Sequence, residues 1–318
     1  MYNVLSITLP FFALIFLGTF FSYKKVFNND SAKTLTKFAL FVTLPPFMFV
    51  NIVKSSSKVV FDLNFIIPYE IITIIILILG FSVSYYFLKN SIKVSSIFAL
   101  NSAYPNYGYM GLPLCILAFS EKAAIPISII LIVDSIVLLS FVSLFVNNNY
   151  NNFFMSFIKL IFNLLRNPIL LGSITGIFFI SFDIKLHIIF FDFLNLLAKA
   201  ATPTALFAIG INLYSKIEKN SFNQIIYVTL FKLFLHPLLV FLIFYILNLS
   251  VDILWIKVAI LCASLPVAGN VFAMSIYYNS FIKETSSSIM ITTLIATFTT
   301  PLVLLLLLNY YYFLIIYF

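Results

Sequence analysis

The sequence predicts an all-α membrane protein of ten transmembrane helices, arranged as two inverted five-helix repeats with crossed broken helices at the fourth and ninth positions. Three observations carry that expectation. The 318-residue chain is 63% hydrophobic and 9% charged, with a mean hydropathy of +1.13, which excludes a water-facing exterior for most of it. Ten apolar stretches, each near the roughly 20 residues that cross a bilayer core, are separated by short polar loops. Prolines recur at nearly one offset between the two halves.

In chain order the stretches are 4–23, 33–53, 65–88, 94–118 and 124–146, then 166–182, 191–214, 222–248, 254–279 and 286–314. Their length favours helices over barrel strands, which need only about 10 alternating residues. Lys24 and Lys25 follow the first stretch instead of preceding it, so it reads as a retained helix and not a cleaved signal peptide. Taking alternate loops together puts eleven Lys and Arg residues on one face, Lys24, Lys25, Lys89 and Arg166 among them. The other face has five: Lys54, Lys58, Lys122, Lys185 and Lys257. Cytoplasmic loops carry the excess. The expectation is an integral protein of the plasma membrane with both termini outside the cytoplasm. The net charge of +8 is then a topology signal spread over small loops, and no nucleic-acid surface is expected.

Pro10, Gly18 and Pro45 lie 158 residues before Pro168, Gly176 and Pro203, and Pro105 lies 161 before Pro266. Five helices per half force the second copy to enter the bilayer from the opposite side, which makes the repeat inverted. The expected organisation is a first repeat at 1–146, a connector at 147–165 and a second repeat at 166–318. The connector is Asn-rich and then amphipathic, as suits an interfacial helix at the cytoplasmic surface.

The fourth and ninth stretches are interrupted at Asn101-Ser-Ala-Tyr-Pro-Asn-Tyr-Gly108 and Cys262-Ala-Ser-Leu-Pro-Val-Ala-Gly-Asn270. Pro105 lacks an N–H and disfavours helical torsions at Tyr104, while Gly108 weakens the next turn. Unwinding frees carbonyls on one half-helix and N–H groups on the other, and the N–H end attracts anions. Asn101, Asn106 and Asn270 add amides that can donate to a carboxylate without a buried permanent charge. The candidate substrate-binding set is Asn101, Pro105, Asn106, Tyr107, Gly108, Pro266, Val267, Gly269 and Asn270. The plainer alternative is a pair of kinks whose amides satisfy local backbone. Repetition of the break at matching positions favours a binding site.

These residues resemble the auxin efflux carrier family of membrane transporters, which includes the plant PIN-FORMED carriers and many bacterial members. Pro105-Asn-Tyr-Gly-Tyr-Met-Gly-Leu-Pro-Leu114 is similar to the family's first crossover and Ala263-Ser-Leu-Pro-Val-Ala-Gly-Asn-Val-Phe-Ala273 to its second. Leu44-Pro45, Asn167-Pro168 and the 201–210 run extend the likeness over nearly the whole chain. The resemblance implies a fold like that of sodium/proton antiporters and bile acid transporters, a homodimer, and export of small organic carboxylates by an elevator-type motion. It also implies that Asn106 meets the substrate carboxylate. Val267 stands where the plant carriers have a polar residue, and their long hydrophilic loop is absent, so auxin itself is not the expected substrate.

Asp134 and Lys232 fall near the middle of the fifth and eighth stretches, where an unpaired charge costs about 2.5–3.5 kcal/mol, so they are expected to pair or to reach water. Glu70 resembles in position an acid used as a support site in the plant carriers. His236, before Pro237, is expected to pack at a helix terminus. Cys115 and Cys262 are expected to be small packing residues. No zinc-ligand spacing or phosphate-binding loop is present, so neither an enzyme, a metal site nor a cofactor is expected; the candidate coupling ion is a proton or sodium. The favoured function is a secondary transporter, an exporter of a small organic anion. Alternatives are a cation/proton antiporter using Asp134 and a membrane ligand sensor, the latter disfavoured because no loop is long enough for a signalling domain.

Overall fold

The computed structural model describes residues 2–55, 61–146, 167–213 and 222–309. The connector expected at 147–165 lies outside the described residues. Among those described, every regular element is helical, and β-type pairing is confined to one isolated bridge. Six helical runs are long and apolar enough to cross a membrane: Val4–Tyr23, Asp30–Ser55, Leu63–Phe87, Ile188–Leu213, Phe222–Leu247 and Ile282–Leu308. Shorter apolar helices cover Tyr107–Phe119, Pro168–Ser181 and Ile253–Ala263.

In chain order the α-helices are α1 (Tyr2–Tyr23), α2 (Asn29–Phe38), α3 (Leu44–Ser55), α4 (Leu63–Ser82), α5 (Ile92–Ala103), α6 (Leu112–Phe119) and α7 (Ala124–Val146). After the connector come α8 (Pro168–Ser181), α9 (Ile188–Leu213), α10 (Phe222–Leu230), α11 (His236–Leu247), α12 (Ile253–Ala263), α13 (Gly269–Tyr277) and α14 (Ile282–Leu308). Helix starts follow the side chains that can cap them. The Asn28 side chain accepts from Asp30 N–H and Ser31 N–H at α2, and Asp62, Ser91, Asn167 and Asp252 cap α4, α5, α8 and α12. Wider π-type turns precede three proline sites: Ala39–Thr43 before Pro45, Tyr107–Gly111 before Pro113, and Phe231–Leu235 before Pro237. A proline removes the N–H that the preceding turn needs, and widening that turn lets the helix continue.

The chain divides into two compact units that interleave along the sequence. The first gathers Met1–Phe61, Tyr107–Leu131 and Leu165–Ser215. Within it α1 and α9 meet backbone to backbone, because a Cβ on Gly18 would strike the Phe207 carbonyl and one on Gly210 the Ile15 carbonyl. Thr19 Oγ1 bridges the pair by donating to Gly210 O at 2.8 Å. Small residues allow such approach where lipid supplies no hydrophobic drive between helices. In the same way Gly172 of α8 rests on the Pro45 backbone and Gly176 on Ile52.

The second unit gathers Asp62–Asn106, Ile132–Leu164 and Lys216–Phe318. Here Gly80 of α4 lies against Ser102 of α5. Phe65 stacks on Phe244 and meets Trp255 edge-on at 5.0 Å, tying α4 to α11 and α12. This unit holds both chain breaks.

Candidate functional site

Both interruptions expected from the prolines are present. Helix α5 stops at Ala103, and Tyr104 takes extended torsions (φ −84°, ψ 106°), as a residue before proline should. Helix α12 stops at Ala263, and the chain resumes as α13 at Gly269 after an extended Ala268. The two breaks cross. Pro105 pairs antiparallel with Val267, Asn106 N–H donates to Pro266 O at 2.9 Å, and Ala268 N–H donates to Tyr104 O at 3.0 Å. This two-bond bridge satisfies main-chain groups that would each cost several kcal/mol if left unpaired in a membrane. Val267 N–H is taken up by Thr292 Oγ1 at 3.2 Å, and that hydroxyl donates in turn to Ser288 O.

The sequence-derived residues part company at this point. Asn101, Pro105, Asn106, Pro266, Val267, Gly269 and Asn270 belong to the second unit, whereas Tyr107 and Gly108 fall in the first, the chain passing between units after Asn106. Tyr107 is buried, and a Cβ on Gly108 would press on Ile169. Asn106 is buried, while Gly269 and Asn270 are exposed. Nothing lies within 4 Å of where a Gly269 Cβ would stand, and the start of α13 has no side-chain cap. An uncapped helix start facing open space is able to take an anion. Tyr104, absent from the expected set, braces this end: its hydroxyl bonds Ser135 Oγ at 3.0 Å and also the Asn270 side chain.

Asn101 does something different from what its sequence position suggested. Its Nδ2 donates to Ile97 O at 2.8 Å and to Thr285 Oγ1 at 2.9 Å. Both amide protons are thereby used inside the protein. The Oδ1 atom is buried and has no hydrogen-bond partner. Since a main-chain carbonyl only accepts, the contact with Ile97 O fixes which end of the amide is nitrogen.

The buried charges also take partners that spacing alone did not reveal. Glu70 on α4 and Asp134 on α7 share a side-chain hydrogen bond. Lys232 Nζ donates to Ala263 O at 2.8 Å and to His236 Nδ1 at 3.1 Å, with Asp134 near enough to act on it electrostatically. Lysine can only donate, so His236 Nδ1 accepts, and its Nε2–H faces Thr73 Oγ1 at 3.5 Å. The hydrogen bonds of Lys232 go to Ala263 and His236, Asp134 acts on it electrostatically, and Glu70 is the hydrogen-bonded neighbour of Asp134. The hydroxyls of Thr285 and Thr292 went unnoticed, although their spacing with Ser288 (i, i+3, i+7) marks one face of the last helix.

Broken apolar helices crossing within an all-helical chain of this hydropathy define a membrane transporter. The chain belongs to the family described as "Membrane transport protein", whose sequence model it matches over residues 4–304, and this is the auxin efflux carrier family that its crossover strings resemble. It is 28% identical over 295 residues to the "Putative malonate transporter" of Rhizobium meliloti (strain 1021), spanning 91% of each chain. It is 22% identical over 288 residues to the "Uncharacterized transporter YfdV" of Escherichia coli (strain K12), spanning 88% of this chain and 90% of that one. The protein is an integral membrane transporter.

Proposed function

We propose that this protein is a secondary transporter that exports a small organic carboxylate by elevator-type alternating access, from a site at the crossing of the two breaks. The observation that carries the proposal is the uncapped start of α13 beside open space at Gly269, next to the bridge between Pro105 and Val267. Asn106 and Asn270 supply neutral donors there. The malonate named for the Rhizobium meliloti relative supports a small carboxylate as cargo. An inverted-repeat organisation agrees with the left-handed residues of the loops. Lys25 and Asp183, Lys89 and Asn248, and Ser120 and Phe281 are 158, 159 and 161 residues apart, matching the proline offsets. The capping residues Ser91 and Asp252 are likewise 161 apart.

Replacing Asn106 by Ala keeps the main-chain N–H that bridges to Pro266 and removes only the amide. Counterflow of a labelled carboxylate such as malonate in proteoliposomes is expected to fall by at least about tenfold, the loss that one charge-assisted hydrogen bond of 1.5–3 kcal/mol implies. Unchanged counterflow would remove Asn106 from the site.

One observation favours a second reading, proton-coupled cation transport: the hydrogen bond between the Glu70 and Asp134 carboxyls. A proton gradient that drives cation uptake with no organic anion present would support it over carboxylate export.

A further inference from the structure

We propose that a monovalent cation of sodium size binds at the carbonyl end of α5, held by the Asn101 side-chain oxygen, the Ser288 hydroxyl and the freed main-chain carbonyls of Asn101 and Ser102. The proposal concerns a site beside the crossover and does not rest on the carboxylate reading.

Two main-chain oxygens have lost the partners that a continuous helix would give them, and two buried side-chain oxygens have none. The Asn101 carbonyl looks for a donor at position 105, and Pro105 has none. The Ser102 carbonyl looks to Asn106 N–H, which donates instead to Pro266 O. Asn101 Oδ1 and Ser288 Oγ are both fully buried and have no hydrogen-bond partner. Helical Ser and Thr ordinarily bond back to the preceding turn. Thr292, Thr293 and Thr297 do so, whereas Ser288 does not, nor do Thr299 and Thr300 further along the same helix. Asn101 and α14 are in contact through Thr285, and Ser288 sits one turn further along that face, towards the Thr292 that binds the second break.

The other break shows what such an end demands. The Ala263 carbonyl at the end of α12 has likewise lost its donor, since Val267 N–H turns to Thr292, and there Lys232 supplies an ammonium at 2.8 Å. A cation is what the carbonyl pole of a half-helix stabilises. The lysines on α5 and α14, Lys93 and Lys283, are exposed, and the buried Lys232 is committed to Ala263 and His236. A free ion fills at α5 the role that the ammonium has at α12. An anion is disfavoured because three of the four groups offer only lone pairs once the Asn101 amide protons are spent, which leaves the Ser288 hydroxyl as the single donor. A divalent ion is disfavoured because no carboxylate is in the set. An amide, a hydroxyl and carbonyls are too weakly basic to hold a proton.

The experiment is thermal unfolding of the purified protein in detergent, without organic acid, as sodium chloride replaces choline chloride at constant ionic strength. The wild type is expected to melt at least about 2 °C higher in sodium, the shift growing with the logarithm of the sodium concentration, since an ion bound only by the folded state must stabilise it. Ser288→Ala, whose hydroxyl has no hydrogen bond to lose, is expected to lose that increment while melting normally in choline. Asn101→Ala is expected to lose it as well, from a melting point lowered in every salt by the missing bonds to Ile97 O and Thr285 Oγ1. Equal melting of the wild type in sodium, potassium and choline overturns the proposal, as does a wild-type sodium increment in either variant. A carboxylate-induced shift, measured separately, reports on the transport reading, so either can fail alone.

Discussion

A hydrogen bond between the carboxyls of Glu70 and Asp134 requires one of them to carry a proton, because an ionised carboxylate only accepts. Asp134 is also near enough to Lys232 to act on it electrostatically, so a proton shared between the two carboxyls limits the charge that the bilayer interior has to hold. Glu70→Gln preserves a donor to Asp134 without any titrating proton. Its expected phenotype is a folded protein whose counterflow no longer responds to an imposed proton gradient, read in proteoliposomes with and without that gradient. A response identical to that of the wild type would make the pair purely structural. Asn101 makes the complementary point: an amide that spends both its donors on Ile97 and Thr285 has none left for a solute.

At the level of elements, α1 and α9 pack closely because glycines let one backbone rest on another. Gly210→Ala places a methyl group against the Ile15 carbonyl and the Gly18 backbone. Helix backbones cannot yield as a flexible side chain would, so a destabilisation of about 1–3 kcal/mol is expected, measured as a fall in the unfolding temperature in detergent. Gly269→Ala provides the contrast. Open space receives its methyl group, so stability is expected to stay within about 0.5 kcal/mol while any carboxylate-induced thermal shift shrinks. Equal melting of Gly210→Ala and the wild type would contradict the close approach of α1 and α9. The π-type turns belong to the same scale. They let α2 run into α3, and α10 into α11, past prolines that would otherwise end a helix.

For the whole molecule, the asymmetry of its lysines sets the expected orientation. Single cysteines replacing Lys25 and Lys122 should react with a membrane-impermeant maleimide from opposite sides, Lys122→Cys in intact cells and Lys25→Cys only after permeabilisation. Cys115 and Cys262 are buried, so their background is low. Labelling of both positions from the same side would refute the assigned topology. Membrane class, the long spans and the sites of both breaks were legible in the sequence, because each follows from a local property: a run of apolar residues, or a proline without an N–H. The α8 stretch was legible only in part. Its apolar run is clear, yet Asn167 and Pro168 start the helix late and leave 14 residues, about 21 Å, in helical form. Partner choice was not legible. That Asp134 meets Glu70, that Lys232 caps Ala263, and that Asn101 turns its nitrogen to Thr285 are decided by which helix faces meet, and no spacing along the chain encodes this. The sequence by itself determined where main-chain groups lose their helical partners; only the tertiary structure decided which groups from elsewhere in the chain meet them. The physical reason is that hydrogen-bonding capacity is covalent and local, whereas its satisfaction inside a bilayer depends on residues brought together from far apart in the chain.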